Sequence, residues 1–251
     1  MIQSIFDEWA HYSSSMGSQV SRKGNCIISV NRNSKISCDF SNSIVCLGKI
    51  QMDVKDLGNY FNVSSFQSYC IVTETDPDSS CLPYKKIASL MVLDYDTWSN
   101  NTYYSSMPVF DKKIRFLKLS KVDVADFADV VFSAFKYDRQ FMGDSIELYK
   151  KGILSSYVSL YGIKLDDRLV SCLLVHWDKT KQIYGIELVS TKESYQNHGY
   201  SKMLLRFTFD DIFNSKTSKI WLFAIKDGIA EHFYSSIGFK TIAKILISSH
   251  G

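Results

Sequence analysis

One stretch of this chain leaves its fold little freedom. A mostly apolar run, Ile186 to Val189, is followed by the polar turn Gln196-Asn197-His198-Gly199-Tyr200-Ser201 and then by an apolar-periodic segment from Lys202 to Phe213. The run reads as a buried strand. In the segment, Leu204, Leu205, Phe209, Ile212 and Phe213 recur at near-helical spacing. A strand, a short glycine-bearing turn and a helix start together make an anion site. Backbone N–H groups converge there without intrahelical partners, and the helix macrodipole adds partial positive charge.

A second pattern lies about thirty residues on. Ile220-Trp221-Leu222-Phe223-Ala224-Ile225 reads as another buried strand, followed by Asp227-Gly228 and then Ala230-x-x-x-Tyr234-x-x-x-Gly238-Phe239. The spacing Gln-x-x-Gly-x-Ser resembles the Q/R-x-x-G-x-G/A signature of the GNAT N-acyltransferase superfamily, whose turn grips the pyrophosphate of acyl-coenzyme A. The later pattern is similar to the closing N-x-x-A-x-x-x-Y-x-x-x-G-F element of that superfamily. Two positions depart from it. Ser201 stands where Gly or Ala is usual, and Asp227 stands where Asn is usual.

Composition sets wide bounds. The chain has 251 residues, 45% hydrophobic and 22% charged, with a formal net charge of +3. That is an ordinary globular balance, too weakly basic to imply nucleic-acid or membrane binding. No apolar run approaches the roughly 18 residues of a membrane span. The N-terminus lacks a basic region and a long apolar core, so no secretory signal is expected. Cysteines stand at 26, 38, 46, 70, 81 and 172, with no C-x-x-C pair and no histidine cluster, so no metal is expected. Buried thiols in a reducing cytosol are the expected state, and the expected location is cytoplasmic.

Residues 94 to 112 are rich in turn formers and lack apolar periodicity, which places a linker at 99–112. The expected layout is α/β. An N-terminal α+β domain spans 1–98. The resemblance then implies a GNAT fold over 113–251, with a central mixed, mainly antiparallel sheet flanked by helices. In the first domain, strands are expected at Cys26 to Val30, Lys35 to Phe40, Ser43 to Gly48, Tyr69 to Thr73 and Ala88 to Leu93. Helices are expected at Ile5 to Tyr12 and Val54 to Phe61. No second copy of either motif occurs there, so this part resembles a shortened GNAT-like domain or is an unrelated α+β domain. In the second, Ile114 to Leu119 opens a strand. Ser120 then caps a helix with Asp123 at N3, and Val122, Phe127, Val130, Val131 and Phe135 form its apolar side. Tyr157 to Lys164 and Leu169 to Trp177 form a hairpin around the turn Asp166-Asp167-Arg168.

The resemblance implies a chemistry: acetyl transfer from acetyl-CoA to a primary amine, direct and without an acyl-enzyme. Main-chain N–H groups from Asn197 to Lys202, through His198, Gly199, Tyr200 and Ser201, would hold the pyrophosphate, with Gln196 adding a side-chain donor. The strand edge at Leu188 and Val189 would pair with the pantetheine amides. Tyr234 would be the general acid that protonates the leaving thiolate. Glu187 would be the base or an acceptor contact, with His176 and Asp178 as further candidates. Strand alternation puts Glu187 and Val189 on one face. Asp227 would cap the helix that begins at Gly228, and Tyr137 to Phe141 would face the acceptor. The acceptor itself, a small molecule, amino acid or polypeptide, is open, as is a homodimer. The alternative function is a catalytically silent acyl-CoA-binding sensor or scaffold.

Overall fold

The computed structural model of the protein describes residues 1–31, 43–48, 67–73, 86–101, 113–178, 180, 182–213 and 216–250. In chain order the elements are α1 (Ile2–Ser15), β1 (Gln19–Lys23), β2 (Cys26–Val30), β3 (Ser43–Leu47), β4 (Gln67–Thr73), β5 (Lys86–Asp94) and α2 (Tyr95–Ser99). Then come β6 (Ile114–Leu119), α3 (Val124–Phe135), α4 (Met142–Leu154), β7 (Val158–Leu165), β8 (Arg168–Asp178) and β9 (Ile183–Thr191). The chain closes with α5 (Tyr200–Ile212), β10 (Lys219–Ile225), α6 (Ile229–Ser236) and β11 (Lys240–His250). This is the mixed α/β architecture the sequence implies. It divides into two compact units, Met1–Val92 with Trp221–Gly251 and Leu93–Ile220.

The Leu93–Ile220 unit is built on strands in the order β9-β8-β7-β6, all antiparallel. Asp166 and Asp167, at φ 47° and 64°, turn the β7–β8 hairpin in two residues, and Leu165 sits opposite Arg168. Two left-handed residues match the right-handed twist of the strands they join. Helix α3 packs on β8 and β9, and α5 packs on β7, β8 and β9. The turn before α3 is fixed by the expected box. The Ser120 N–H donates to Asp123 Oδ2 at 3.0 Å, and its hydroxyl donates to the same oxygen at 2.8 Å. Lys164 adds a 2.8 Å ion pair and, as the largest influence, helps hold the Asp123 carboxyl at about 2.

The apolar side of α3 is phased differently from the expectation. Val124, Phe127, Ala128, Val130, Val131 and Phe132 are buried, whereas Val122 is 89% exposed and Phe135 44%. Val122 lies in the single tight turn at Lys121–Asp123, ahead of the helix, so it falls outside the helical phase. Phe135 stacks instead on Tyr137, 5.3 Å away. The five expected apolar residues of α5 and its C-cap, Phe213, are all buried. The turn-former-rich stretch that begins at residue 94 opens with a helical turn: Asp94 accepts from the Thr97 N–H at 2.7 Å, and Trp98 lies 5.0 Å from Phe213. Residues 102–112 lie outside the described residues.

In the other unit the strands run β1-β2-β3-β4-β11-β5-β10. Pairing is parallel between β3 and β4, and antiparallel for β1 with β2, β2 with β3, and β11 with both β4 and β5. Strand β1 was not expected; its sequence Gln-Val-Ser-Arg-Lys offers little apolar signal, and it is mostly exposed. The helix expected at Ile5 to Tyr12 extends over Ile2–Ser15 and buries Ile5, Phe6 and Trp9. Burial of each such side chain stabilises by about 1.5–3 kcal/mol. Glu8 on the same helix is fully buried and accepts a 3.1 Å hydrogen bond from Trp221 Nε1. The expected strand at 35–40 and helix at 54–61 lie outside the described residues.

The expectation of thiols is corrected for two cysteines. Cys26 and Cys46 face each other in the β2–β3 register and form a disulfide. Twenty residues separate them in sequence, and nothing in that spacing reveals the register. Cys172 is a buried free thiol whose surroundings push its pKa up. Among the described residues, no helix is long and apolar enough to cross a membrane, and no group of three or more acidic, His or Cys side chains is placed to hold a metal.

Candidate active site

The Leu93–Ile220 unit holds all the expected coenzyme-binding residues and Glu187. Their arrangement starts from an irregularity in β9. Cys172 faces Ser190 and Leu174 faces Glu187, so Leu188 and Val189 together stand against the single residue Leu173. This is a β-bulge, and Leu188 makes it by adopting φ 54°. A non-glycine residue in that region costs about 1–2 kcal/mol, so the surroundings must hold it there. Ser190 contributes by donating its hydroxyl to the Leu188 carbonyl at 2.9 Å. A bulge leaves backbone groups of the extra residue outside the ladder. The simple alternation that put Glu187 and Val189 on one face is therefore broken at Leu188.

The turn at the end of β9 is fastened to the sheet by side chains. Gln196 Nε2 donates to the Thr191 carbonyl at 3.1 Å. The side chain expected to meet the pyrophosphate is thus committed to shaping the turn. Ser201 Oγ lies 2.8 Å from Thr191 Oγ1, which lies 2.9 Å from Ser171 Oγ, and Ser171 donates to the Ser190 carbonyl at 2.9 Å. Ser201, the departure from the family pattern, thereby ties the helix start to two strands. Each such bond is worth about 0.5–1.5 kcal/mol net.

Asn197 and Gly199 take φ 64° and 79°, and Gly199 is the N-cap of α5. The first intrahelical bond runs from the Met203 N–H to the Gly199 carbonyl at 3.0 Å. The amides of Tyr200, Ser201 and Lys202 precede it, the N-cap glycine has no side chain with which to cap them, and the first turn carries no acid. A donor set of this kind, at the positive end of a helix dipole, fits a pyrophosphate. His198 sits in the exposed part of the turn, with Nδ1 2.7 Å from the Gln196 carbonyl and its ring stacked over Tyr200.

Glu187 is half-buried on β9, opposite Leu174 on β8. Two register steps away, on the same face of the ladder, His176 faces Gly185. The His176 side chain is 0% exposed, and its Nε2 lies 3.5 Å from Glu187 Oε1. The structure therefore brings together two residues that the sequence offered as rival bases. Asp178 is not with them in role: it accepts from the Thr180 N–H at 2.9 Å and from the Thr180 hydroxyl at 2.5 Å, which closes the following turn.

The segment Tyr137 to Phe141 is held by its own contacts. Asp138 accepts from the Gln140 N–H, Arg139 pairs with Asp129 at 3.0 Å, and Tyr137 packs on Phe132 and Phe135. A separate cavity of about 350 Å³ is lined by Lys118, Tyr161, Trp177, Tyr184 and Asp211 among others, and none of the turn residues lines it.

Tyr234 belongs to the other unit, on α6, and is described there by itself. It is buried, its ring meets Phe239 at 5.7 Å, and its carbonyl accepts from the Phe239 N–H at 3.0 Å. Burial pushes the phenol above its ordinary value, so it remains a proton donor through neutral pH. Asp227, expected to cap α6, does not. The N-cap is Gly228, and Asp227 is 77% exposed and paired with Lys226 at 2.5 Å. Glu231 does the fastening, accepting the Asp227 N–H at 2.5 Å and the Ser89 hydroxyl.

Residues 128–239 match the Acetyltransferase (GNAT) family. No curated protein sequence matches the chain. Among solved structures, a GCN5-related N-acetyltransferase from Kribbella flavida is similar with a TM-score of 0.65 at 12% identity, covering 97% of this chain and 94% of that one. A tandem GNAT protein from the clavulanic acid biosynthesis pathway has a TM-score of 0.59 at 8% identity, covering 92% and 81%. A GCN5-related N-acetyltransferase from Sphaerobacter thermophilus has a TM-score of 0.56 at 11% identity, covering 90% and 76%. At these identities the likeness is one of fold.

Proposed function

We propose, starting from the match of residues 128–239 to the Acetyltransferase (GNAT) family, that the protein transfers an acetyl group from acetyl-CoA to a primary amine by direct attack. One observation carries this reading. A half-buried carboxylate, a bulge and an acid-free helix start with a glycine N-cap follow one another along β9 and into α5.

In this mechanism the amides of Tyr200, Ser201 and Lys202 bind the pyrophosphate, while the bulged backbone at Leu188 and Val189 offers hydrogen bonds to the pantetheine arm. The acceptor ammonium gives one proton to solvent, and Glu187 takes a second from the nitrogen as the neutral amine attacks and later releases it to solvent. The amine nitrogen forms a bond to the thioester carbonyl carbon, the C–S bond breaks, and Tyr234 Oη–H gives its proton to the departing sulfur. Tyr234 then regains a proton from solvent. Direct transfer suits the state of Cys172, a free thiol that is buried and held protonated. Acetyl-CoA and acceptor meet in the cytoplasm in this reading.

The test is thiol release from acetyl-CoA against amines, amino acids and peptides, with calorimetric acetyl-CoA binding alongside. Turnover with one acceptor class supports the enzyme and names its substrate. Binding without turnover across a broad panel favours a silent acyl-CoA-binding protein instead. No binding at all removes the turn at Gly199 from any role with coenzyme.

A further inference from the structure

Burying an imidazole within a sheet requires room, and β9 makes that room by omission. Gly185 sits directly opposite His176, and a β-carbon added there would fall 2.1 Å from His176 Cε1 and 2.4 Å from Nε2. A glycine inside a strand weakens it and commonly marks a close approach by another group. Here the approaching group is the His176 ring, which lies across the glycine with Nε2 3.5 Å from Glu187 Oε1. The distance is long for a hydrogen bond and within ion-pair reach; catalytic contacts often tighten only when substrate is bound.

We infer that His176 is a positioning residue for Glu187: its buried ring, admitted by Gly185, holds the Glu187 carboxylate in one orientation for the acceptor amine. The inference rests on the acetyl-transfer reading of Glu187 given above. Three residues act as one device. Gly185 supplies the slot, His176 fills it, and Glu187 projects from the last regular position before the bulge at Leu188. A glutamate side chain has three rotatable bonds. A fixed neighbour within ion-pair reach removes most of that freedom before substrate arrives, and such preorganisation lowers the barrier rather than tightening binding.

The other ionisable groups on the elements packed against this face are engaged elsewhere. Asp178 is taken by Thr180, and Cys172 is a protonated thiol. On α3, Asp129 is paired with Lys192 at 2.8 Å and with Arg139. On α4, Glu147 is paired with Lys150 at 2.7 Å, and Tyr149 packs its ring on Phe127.

The experiment uses the full-length chain and four variants: H176N, G185A, E187Q and the double variant H176N/E187Q. In the acetyl-transfer assay H176N is expected to lower kcat about tenfold or more, with acceptor KM and acetyl-CoA affinity unchanged, and to move the pH–kcat profile. G185A, whose new methyl displaces the ring, is expected to give the same signature. Adding H176N to E187Q is expected to cost nothing further, as for residues that act as a unit. Losses that multiply, or an unchanged pH profile in H176N, would overturn the assignment. A second measurement needs neither coenzyme nor acceptor: the imidazole NMR resonances of His176 are expected to shift in E187Q. No shift would overturn the pairing even in an active enzyme. A shift in a protein that transfers no acyl group would leave the pairing standing and remove the acetyl-transfer reading.

Discussion

Gly199 holds its backbone at φ 79°, and a β-carbon there would meet nothing nearer than Met203 Cε at 3.9 Å. The position is thus open in space and demanding in backbone, because other residues pay about 1–2 kcal/mol for that conformation. A larger side chain would also project over the amides that are to bind the pyrophosphate. Gly199→Trp is expected to abolish acetyl-CoA binding by calorimetry while the far-UV spectrum stays native; unchanged affinity would refute the phosphate turn. Tyr234 tests the opposite end of the chemistry. Its ring is buried against Phe239, so Tyr234→Phe keeps the packing and removes only the hydroxyl. Turnover is expected to fall about 100-fold or more, with acetyl-CoA affinity and melting temperature nearly unchanged. Full activity in that variant would take Tyr234 out of the mechanism.

At the scale of the element, the start of α3 carries a measurable electrostatic debt. The Asp123 carboxyl, held at about 2 by Lys164 and the Ser120 box, is easier to ionise in the folded chain than in the unfolded one. Its contribution is therefore fully present above the ordinary carboxylate pKa of about 3.9 and is lost as pH falls toward 2. Asp123→Asn is expected to lower the melting temperature at pH 7 and to leave it almost unchanged at pH 2; an equal loss at both would mean that packing, not charge, is the cause. That box was legible in the sequence because a cap is a local device, spaced over four residues. The strand-turn-helix from β9 to α5 was legible for the same reason, as was the Asp166-Asp167 hairpin. Three features were not. The Cys26–Cys46 disulfide depends on a strand register, and the bulge at Leu188 depends on what lies opposite it. The seat of His176 on Gly185 joins two strands, although a lone glycine in an otherwise apolar strand was a visible hint. Asp227 was misjudged as a cap because a neighbouring lysine at 226 competes for it.

For the molecule as a whole, coenzyme should act as a stabiliser of the unit that contains the turn. A ligand at about 100 times its Kd adds about 2.7 kcal/mol to the folded state. Saturating coenzyme A is therefore expected to raise a melting transition by several degrees, and to slow amide exchange at 196–203, with neither effect in Gly199→Trp. Exchange slowed elsewhere but not at the turn would place the ligand at another surface. The division of the chain into units carries a further consequence, for the order of events at the ribosome. Leu93–Ile220 is continuous in sequence, whereas its companion is assembled from Met1–Val92 and Trp221–Gly251. The partner strands of β11, β4 and β5, emerge long before β11 is translated. At synthesis rates of about 5–20 residues per second, those early strands wait on the order of ten seconds with exposed edges while the intervening unit is made and folds. Strands made early are thus among the last to find their partner, and that interval is when a chaperone would have most to protect.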